Sequence, residues 1–137
     1  MIQYIAYCRK STDEKEKQVL SIDQQISELK EFAQRENLNV SELLTEAQTA
    51  KVPGRPIFNS LIKRIEQGEI SGIISWNPDR IARNSVDGGK IIYLLDLKKL
   101  ESLKFPTHWF ENTPQGRFML SIAFGQAKYY VDNLAQN

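Results

Sequence analysis

The chain has 137 residues, with one cysteine, one histidine and a near balance of 18 Lys and Arg against 17 Asp and Glu. This length fits one ordinary globular domain, and 41% hydrophobic with 26% charged residues excludes a disordered tail. A lone Cys8 cannot form an internal disulfide, and a lone His108 cannot build an ordinary zinc site. We therefore expect a cytosolic protein that uses no metal.

The sequence carries no signal for a membrane or for export. No apolar run reaches the ~18–20 residues that a bilayer requires, and the first residues do not follow the pattern of a signal peptide. A net charge of +1 argues against a surface that binds polyanions everywhere. Any contact with DNA or RNA must therefore use cations concentrated in one place.

The first β-prone stretch, residues 2–8, predicts a buried strand that ends in the polar segment 9–13. Ser21 and Gln24 match the capping-box pattern at the start of an amphipathic run. They predict a helix from residue 22 to residue 36.

Residues 40–45 predict a second strand, and the proline- and glycine-containing residues 46–56 predict an irregular loop. Apolar residues at helical spacing between 58 and 65 predict a second helix, with Gly68 at its C-terminal cap. Residues 70–76 predict a third strand.

The third strand ends in a polar, charged segment, residues 77–84. Ser85 is a candidate N-cap for a helix that reaches residue 103, and residues 105–110 predict a fourth strand despite Pro106. A final helix is predicted from Gln115 to the end.

Strands that alternate with helices predict an α/β fold with a mostly parallel sheet of about four or five strands flanked by helices. Such sheets carry their functional groups just beyond the carboxyl ends of the strands. Two polar segments stand in that position, residues 9–12 and 77–83.

If their strands are neighbours, these segments bring together a hydroxyl, three guanidiniums and a carboxylate. Convergent arginines beside a hydroxyl suit a phosphate under attack, because charge builds on its non-bridging oxygens in the transition state. The residues concerned are Arg9, Ser11, Asp79, Arg80 and Arg83.

Plainer interpretations exist for each residue alone. A serine after a strand is most often a turn former or an N-cap, and Asp79 beside its arginines could form a surface salt bridge of little consequence. Arg55 in the irregular loop could reach the same anion or simply be solvated. Cys8, His108 and the two tryptophans, Trp76 and Trp109, are expected to be structural, with the tryptophans in the core.

Four segments together resemble the landmarks of the serine recombinase catalytic domain, also called the resolvase/invertase domain, and the resemblance covers nearly the whole chain. These segments are YCRKST at 7–12, SIDQQ at 21–25, NPDRIARN at 77–84 and TPQGR at 113–117. The Y-x-R-x-S and D-R-x-x-R patterns in that order are specific to the family.

The resemblance implies site-specific DNA recombination without metal, ATP or other cofactor. In this family a serine attacks a DNA phosphodiester, leaving a 5′-phosphoserine bond and a free 3′-hydroxyl, and the strands are exchanged and rejoined. Carried over by position, Ser11 is the nucleophile and Asp79 handles a proton. Three arginines, Arg9, Arg80 and Arg83, grip the scissile phosphate. Arg55 and Gln25 match further residues that bind the DNA phosphate.

The resemblance also implies partners and context. Lys10, Lys15 and the long segment 13–19 look more like the large serine recombinases of phages and mobile elements than like small resolvases. Residues 126–134 resemble the start of the dimerisation helix, which in the family leads to dimers and a synaptic tetramer. We expect residues 1–137 to be a catalytic-domain fragment without the region that reads DNA sequence.

Two other functions fit the residues less well. An α/β module could use the arginines to hold a phosphate without cleaving it. A phosphate hydrolase with Asp79 as nucleophile would normally need a metal and several carboxylates, of which the segment supplies one.

Overall fold

Strands and helices alternate along the chain in the computed structural model, which describes residues 1–11 and 20–136. The strands within these residues are β1 (Gln3–Arg9), β2 (Asn39–Glu46), β3 (Gly72–Ile74) and β4 (Ser102–Lys104). The helices are α1 (Ile22–Arg35), α2 (Pro56–Glu66), α3 (Pro78–Ile81), α4 (Ser85–Asp96) and α5 (Pro114–Gln136).

The described strands form one parallel sheet in the order β2-β1-β3-β4, which confirms the predicted α/β class. The chain runs from β1 to one neighbour, β2, and then crosses to the other neighbour, β3. The strand order therefore reverses at β1, and the carboxyl ends of β1 and β3 flank a topological switch point, where α/β sheets place their sites.

Side-chain alternation along β1 divides the core between two layers of helices. Ala6 and Cys8 face α1 and its buried Leu29. Ile5 and Tyr7 face the opposite layer, where α2, α4 and α5 pack. Odd-numbered residues of β1 therefore point toward the helices that follow β2 and β3, and Arg9 shares their face.

The predicted start of α1 is confirmed in detail. Ser21 Oγ accepts a hydrogen bond from the Gln24 N–H at 3.1 Å, and Gln24 Oε1 accepts one from the Ser21 N–H at 3.0 Å. This reciprocal capping box satisfies two N–H groups that the first turn leaves without helical partners.

The predicted helix from Ser85 to residue 103 is wrong at both ends. Asn84 is the N-cap, since its Oδ1 accepts from the Asp87 N–H at 2.9 Å. The helix ends at Asp96 because Lys98 turns the chain with a left-handed φ of 62°. A glycine usually occupies that position, so the sequence carried no signal for this end.

The fourth strand lies at Ser102–Lys104 and not at residues 105–110. Leu100 and Leu103 are both buried, and their spacing of three residues mimics the continuation of the helix. The expectation that both tryptophans are in the core is also wrong, because Trp76 is half-buried and Trp109 is 84% exposed.

The end of the predicted polar segment 9–13, from residue 12 onward, and the long segment 13–19 lie outside the described residues. Among the described helices, none is both long enough and apolar enough to span a membrane.

Gly72 provides a test of the packing between β1 and β3. A Cβ at this position would lie 2.6 Å from Tyr4 Cδ1 and 2.8 Å from Ile2 Cγ2. The Tyr4 ring is buried and its hydroxyl donates to Ser102 Oγ at 2.8 Å, so the ring has little room to move. We expect Gly72→Ala to lower the free energy of unfolding in urea by about 1–3 kcal/mol.

Gly89→Ala is the matched control. This residue lies in α4, and a Cβ there would meet nothing within 4 Å. Alanine has a higher helix propensity than glycine, so we expect Gly89→Ala to raise the free energy of unfolding by up to about 1 kcal/mol. The same sign of change in both variants would contradict the steric explanation.

Candidate active site

The carboxyl ends of β1 and β3 are joined by reciprocal hydrogen bonds between two arginines. Arg80 Nη1 donates to the Arg9 carbonyl at 2.8 Å, and Arg9 Nε donates to the Arg80 carbonyl at 3.3 Å. The structure thus brings together the two polar segments that the sequence analysis selected, because their strands are neighbours.

Arg9 is fully buried and donates to three backbone carbonyls from two segments of the chain. Besides the Arg80 carbonyl, its Nη1 donates to the Gln48 carbonyl and its Nη2 to the Asp79 carbonyl, each at 3.1 Å. In this conformation the guanidinium orders the segments around it, and a phosphate would compete with these carbonyls for its N–H groups.

The short helix α3 presents Asp79 to the site. Asn77 caps this helix, with its Oδ1 accepting from the Arg80 N–H at 3.2 Å, and Pro78 occupies the first helical position, where its missing N–H costs nothing. The cap and the proline together explain why a helix of only four residues forms here.

Asp79 lies between two guanidiniums. Its Oδ2 is 3.3 Å from Arg80 Nη2, and its Oδ1 is 3.0 Å from Arg83 Nε. The Arg83 contact is an ion pair without hydrogen-bond alignment. The side chains of Asp79 and Arg83 are 35% and 12% exposed, against 3% for Arg80. Asp79 and Arg83 are therefore more accessible from solvent than Arg80.

Ser11 lies two residues beyond Arg9 and is only 6% exposed. Gln25, buried in α1, holds the chain just before it, with its Oε1 accepting from the Arg9 N–H at 3.2 Å. Gln25 Nε2 donates to the carbonyls of Arg9 and Leu20, each at 3.0 Å. Gln25 thus joins both ends of the segment that follows β1.

Arg55 lies in the core beneath the site and is 2% exposed. Its Nη1 donates to the Tyr7 hydroxyl at 3.2 Å, and its Nη2 donates to the Ile81 carbonyl at 2.5 Å and to Asp87 Oδ2 at 3.1 Å. Its guanidinium carbon also lies 4.0 Å from the centre of the Phe58 ring. The structure therefore places Arg55 against protein groups, and its link to the site runs through the Ile81 carbonyl.

Sequence reasoning missed two buried carboxylates, Glu46 and Asp87. Glu46 accepts from the Tyr7 hydroxyl at 2.6 Å and from the N–H groups of Ile57 and Phe58 at 2.8 and 3.0 Å. It therefore satisfies the N-terminus of α2, where a negative charge is favoured. One sequence signal could have pointed to Asp87: it lies three residues after Asn84, and an N-cap side chain accepts a hydrogen bond from the N–H group at that spacing.

Burial raises the pKa of Tyr7 above its ordinary value, against the opposing charge of Arg55 and with the support of the Glu46 hydrogen bond. The phenol therefore stays protonated and donates to Glu46. Burial likewise raises the pKa of Cys8 to about 12, which keeps its thiol neutral on the opposite face of β1. Among the side chains that the structure describes, those of residues 1–11 and 20–125, no three from His, Cys, Asp or Glu come together as metal ligands.

Comparisons with known proteins identify a matching family and similar folds. A family model described as "Resolvase, N terminal domain" matches residues 4–137. A search of curated proteins found no significant match.

Solved structures share the fold at low identity. The N-terminal catalytic domain of TP901-1 integrase shares 22% identity, with 96% of this chain and 98% of that one covered and a TM-score of 0.66. A resolvase family site-specific recombinase from Streptococcus pneumoniae shares 20% identity, with coverage of 98% and 91% and a TM-score of 0.65. The C-terminal catalytic domain of ISC1926 TnpA, an IS607-like serine recombinase, shares 18%, with coverage of 89% and 77% and a TM-score of 0.63.

Gln25 is expected to stabilise the segment that carries Ser11. Gln25→Leu keeps the approximate volume of the side chain but leaves the Arg9 N–H without its amide partner. We expect the free energy of unfolding to fall by about 1–3 kcal/mol, the cost of an unsatisfied buried group. Gln34→Leu, an exposed position on the same helix, should change it by less than about 0.5 kcal/mol. Similar losses in the two variants would contradict this role.

Proposed function

Since this chain belongs to the resolvase N-terminal domain family, we propose that it cuts and rejoins DNA at specific sites through a covalent bond between Ser11 and a 5′ phosphate. The observation that carries the proposal is the junction of β1 and β3, where Arg9, two residues before Ser11, is hydrogen-bonded to Arg80 in the segment that also bears Asp79 and Arg83. Arg9 and Arg80, which join the two segments by hydrogen bonds, are both buried, so the segments are held together before any substrate arrives.

The proposed reaction is a phosphoryl transfer. The Ser11 Oγ–P bond forms while the P–O3′ bond breaks, the serine hydroxyl loses a proton and the leaving 3′ oxygen gains one. Rejoining reverses the same two bonds. The phosphoserine bond keeps the free energy of the phosphodiester, so the cycle consumes no ATP, and guanidiniums rather than a metal stabilise the charge on the phosphate oxygens.

The contacts suggest different tasks for the arginines. Arg83 carries a more accessible guanidinium than Arg80, and we assign Arg83 to the scissile phosphate together with Arg9 and Arg80. Asp79, partly exposed and between two guanidiniums, is positioned to exchange a proton with the attacking or leaving oxygen. Gln25 and Arg55 act on the phosphate indirectly in this proposal, because both are buried against protein groups.

Self-association into dimers and a synaptic tetramer is part of the proposal. Phe118, Met119 and Ile122 of α5 are 64%, 58% and 37% exposed. Apolar side chains spaced this way along a long helix favour packing against another helix.

Ser11→Ala tests the nucleophile. The chain is incubated with a pool of short DNA duplexes of randomised sequence and denatured, and DNA bound covalently to protein is recovered. The unaltered chain and Ser60→Ala, an exposed serine on α2, should form a 5′ adduct with or without EDTA, whereas Ser11→Ala should form none. An adduct that persists in Ser11→Ala would rule out this assignment. DNA binding without any adduct would instead favour a module that only holds phosphate.

Asp79→Asn tests the proton transfer. The amide keeps the size of the carboxylate but is a far weaker base, so we expect adduct formation to slow by about 10²–10⁴-fold. Binding to the recovered DNA, measured by fluorescence anisotropy, should change much less. Asp96→Asn, an exposed position on α4, should change neither quantity. Equal losses of rate and affinity in Asp79→Asn would count against a role in proton transfer.

A further inference from the structure

Asp87, in the first turn of α4, is fully buried and has no role in the proposed chemistry. Its Oδ2 accepts from Arg55 Nη2 at 3.1 Å and from Asn84 Nδ2 at 2.9 Å. Its N–H donates to Asn84 Oδ1 at 2.9 Å. The carboxylate thus holds two side chains that each reach another part of the fold.

The two side chains that Asp87 binds, Arg55 and Asn84, each donate a further hydrogen bond to a backbone carbonyl near the segment that follows α3. Arg55 Nη2 donates to the Ile81 carbonyl at 2.5 Å. Asn84 Nδ2 donates to the Ala50 carbonyl at 3.1 Å, which also accepts from the Arg83 N–H at 3.2 Å. Residues 81–84 are therefore held on both sides of Arg83 by groups that depend on Asp87.

The same contacts continue toward β1 and β2. Arg55 Nη1 donates to the Tyr7 hydroxyl, and that hydroxyl donates to Glu46 at the carboxyl end of β2. We name these five residues, Tyr7, Glu46, Arg55, Asn84 and Asp87, the buried polar network. It connects β1, β2 and the start of α4 directly beneath the candidate active site.

We propose that Asp87 is a positioning residue for DNA strand transfer: through Arg55 and Asn84 it fixes the backbone of residues 81–84 and thereby the guanidinium of Arg83 at the site. This inference rests on the proposed function. Asp87 touches neither the phosphate nor the attacking hydroxyl, and it acts only through the two side chains that it binds.

A buried ion pair is weak evidence of a purely stabilising role. Well-packed apolar residues can often replace such a pair at no loss of stability, whereas removal of one partner leaves the other charge buried and unpaired. The contributions of Asp87 to stability and to positioning can therefore be separated by comparing a single variant with a double one.

Asn84→Ser tests the positioning separately, because serine is also a good N-cap but cannot bridge Asp87 and the Ala50 carbonyl.

The experiment compares Asp87→Asn, the double variant Asp87→Leu with Arg55→Met, and Asn84→Ser. Asp96→Asn, which removes an exposed carboxylate from the same helix, is the matched control. For each chain we measure the free energy of unfolding, the affinity for the DNA recovered with the unaltered chain, and the single-turnover rate of adduct formation on that DNA.

We expect Asp87→Asn to lose stability and to form the adduct about 10- to 100-fold more slowly, as a misplaced reacting group does. The double variant should recover the stability but not the rate, and Asn84→Ser should lose rate with little loss of stability. Affinity for DNA should change by less than a few fold throughout, and Asp96→Asn should match the unaltered chain.

A full rate in the folded double variant or in Asn84→Ser would overturn the proposal and leave Asp87 with a structural role alone. If the double variant does not fold, the rate of Asn84→Ser decides. Failure of the proposed function gives a different result, because the unaltered chain and Asp96→Asn would then form no adduct either.

Discussion

The burial of Arg55 is the constraint around which the rest of this structure is arranged. A guanidinium in a protein core needs a neutralising charge and hydrogen-bond acceptors for most of its N–H groups, because removing it from water is costly; in Arg55 both Nη atoms have acceptors and Nε has none. Here Asp87 supplies the charge, Tyr7 and the Ile81 carbonyl accept hydrogen bonds, and Phe58 offers its ring face. Because these partners come from β1, α2, α3 and α4, satisfying one side chain fixes the relative placement of the elements that carry the site.

The hydrogen-bond partners of the site arginines bear on how a chain with a net charge of +1 can build a site for a polyanion. Arg9 and Arg80 donate to main-chain carbonyls, which are neutral groups and add no negative charge to the site. Asp79 is the carboxylate that Arg80 and Arg83 share. A net charge of +1 thus describes the average surface, while the field at the end of β1 is set by a few groups in a poorly solvated place.

Much of the fold could be predicted from local patterns, and the errors have physical causes. The capping box at Ser21 was recognisable because its bonds join residues three apart in sequence. The end of α4 was not recognisable, because the residue in the left-handed conformation after it is Lys98 and not the glycine that usually marks a helix end. Trp109 was expected in the core on the strength of its size, but burial depends on which surfaces remain uncovered after packing. The resemblance implied that Arg55 binds the DNA phosphate, and this stays a prediction; the alternative of a solvated Arg55 is wrong, because its side chain is buried and paired with Asp87.

By itself, the sequence determined the α/β class, the segments that follow β1 and β3, and the residues Arg9, Ser11, Asp79, Arg80 and Arg83 as one candidate set. These follow from periodicity and from motif spacing, which are properties of neighbouring positions along the chain. Only the tertiary structure decided that Arg9 holds backbone carbonyls, that Arg55 lies below the site and that Asp87 pairs with Arg55. Those facts depend on partners 26 to 71 residues apart, whose contacts arise when the sheet order brings their strands together.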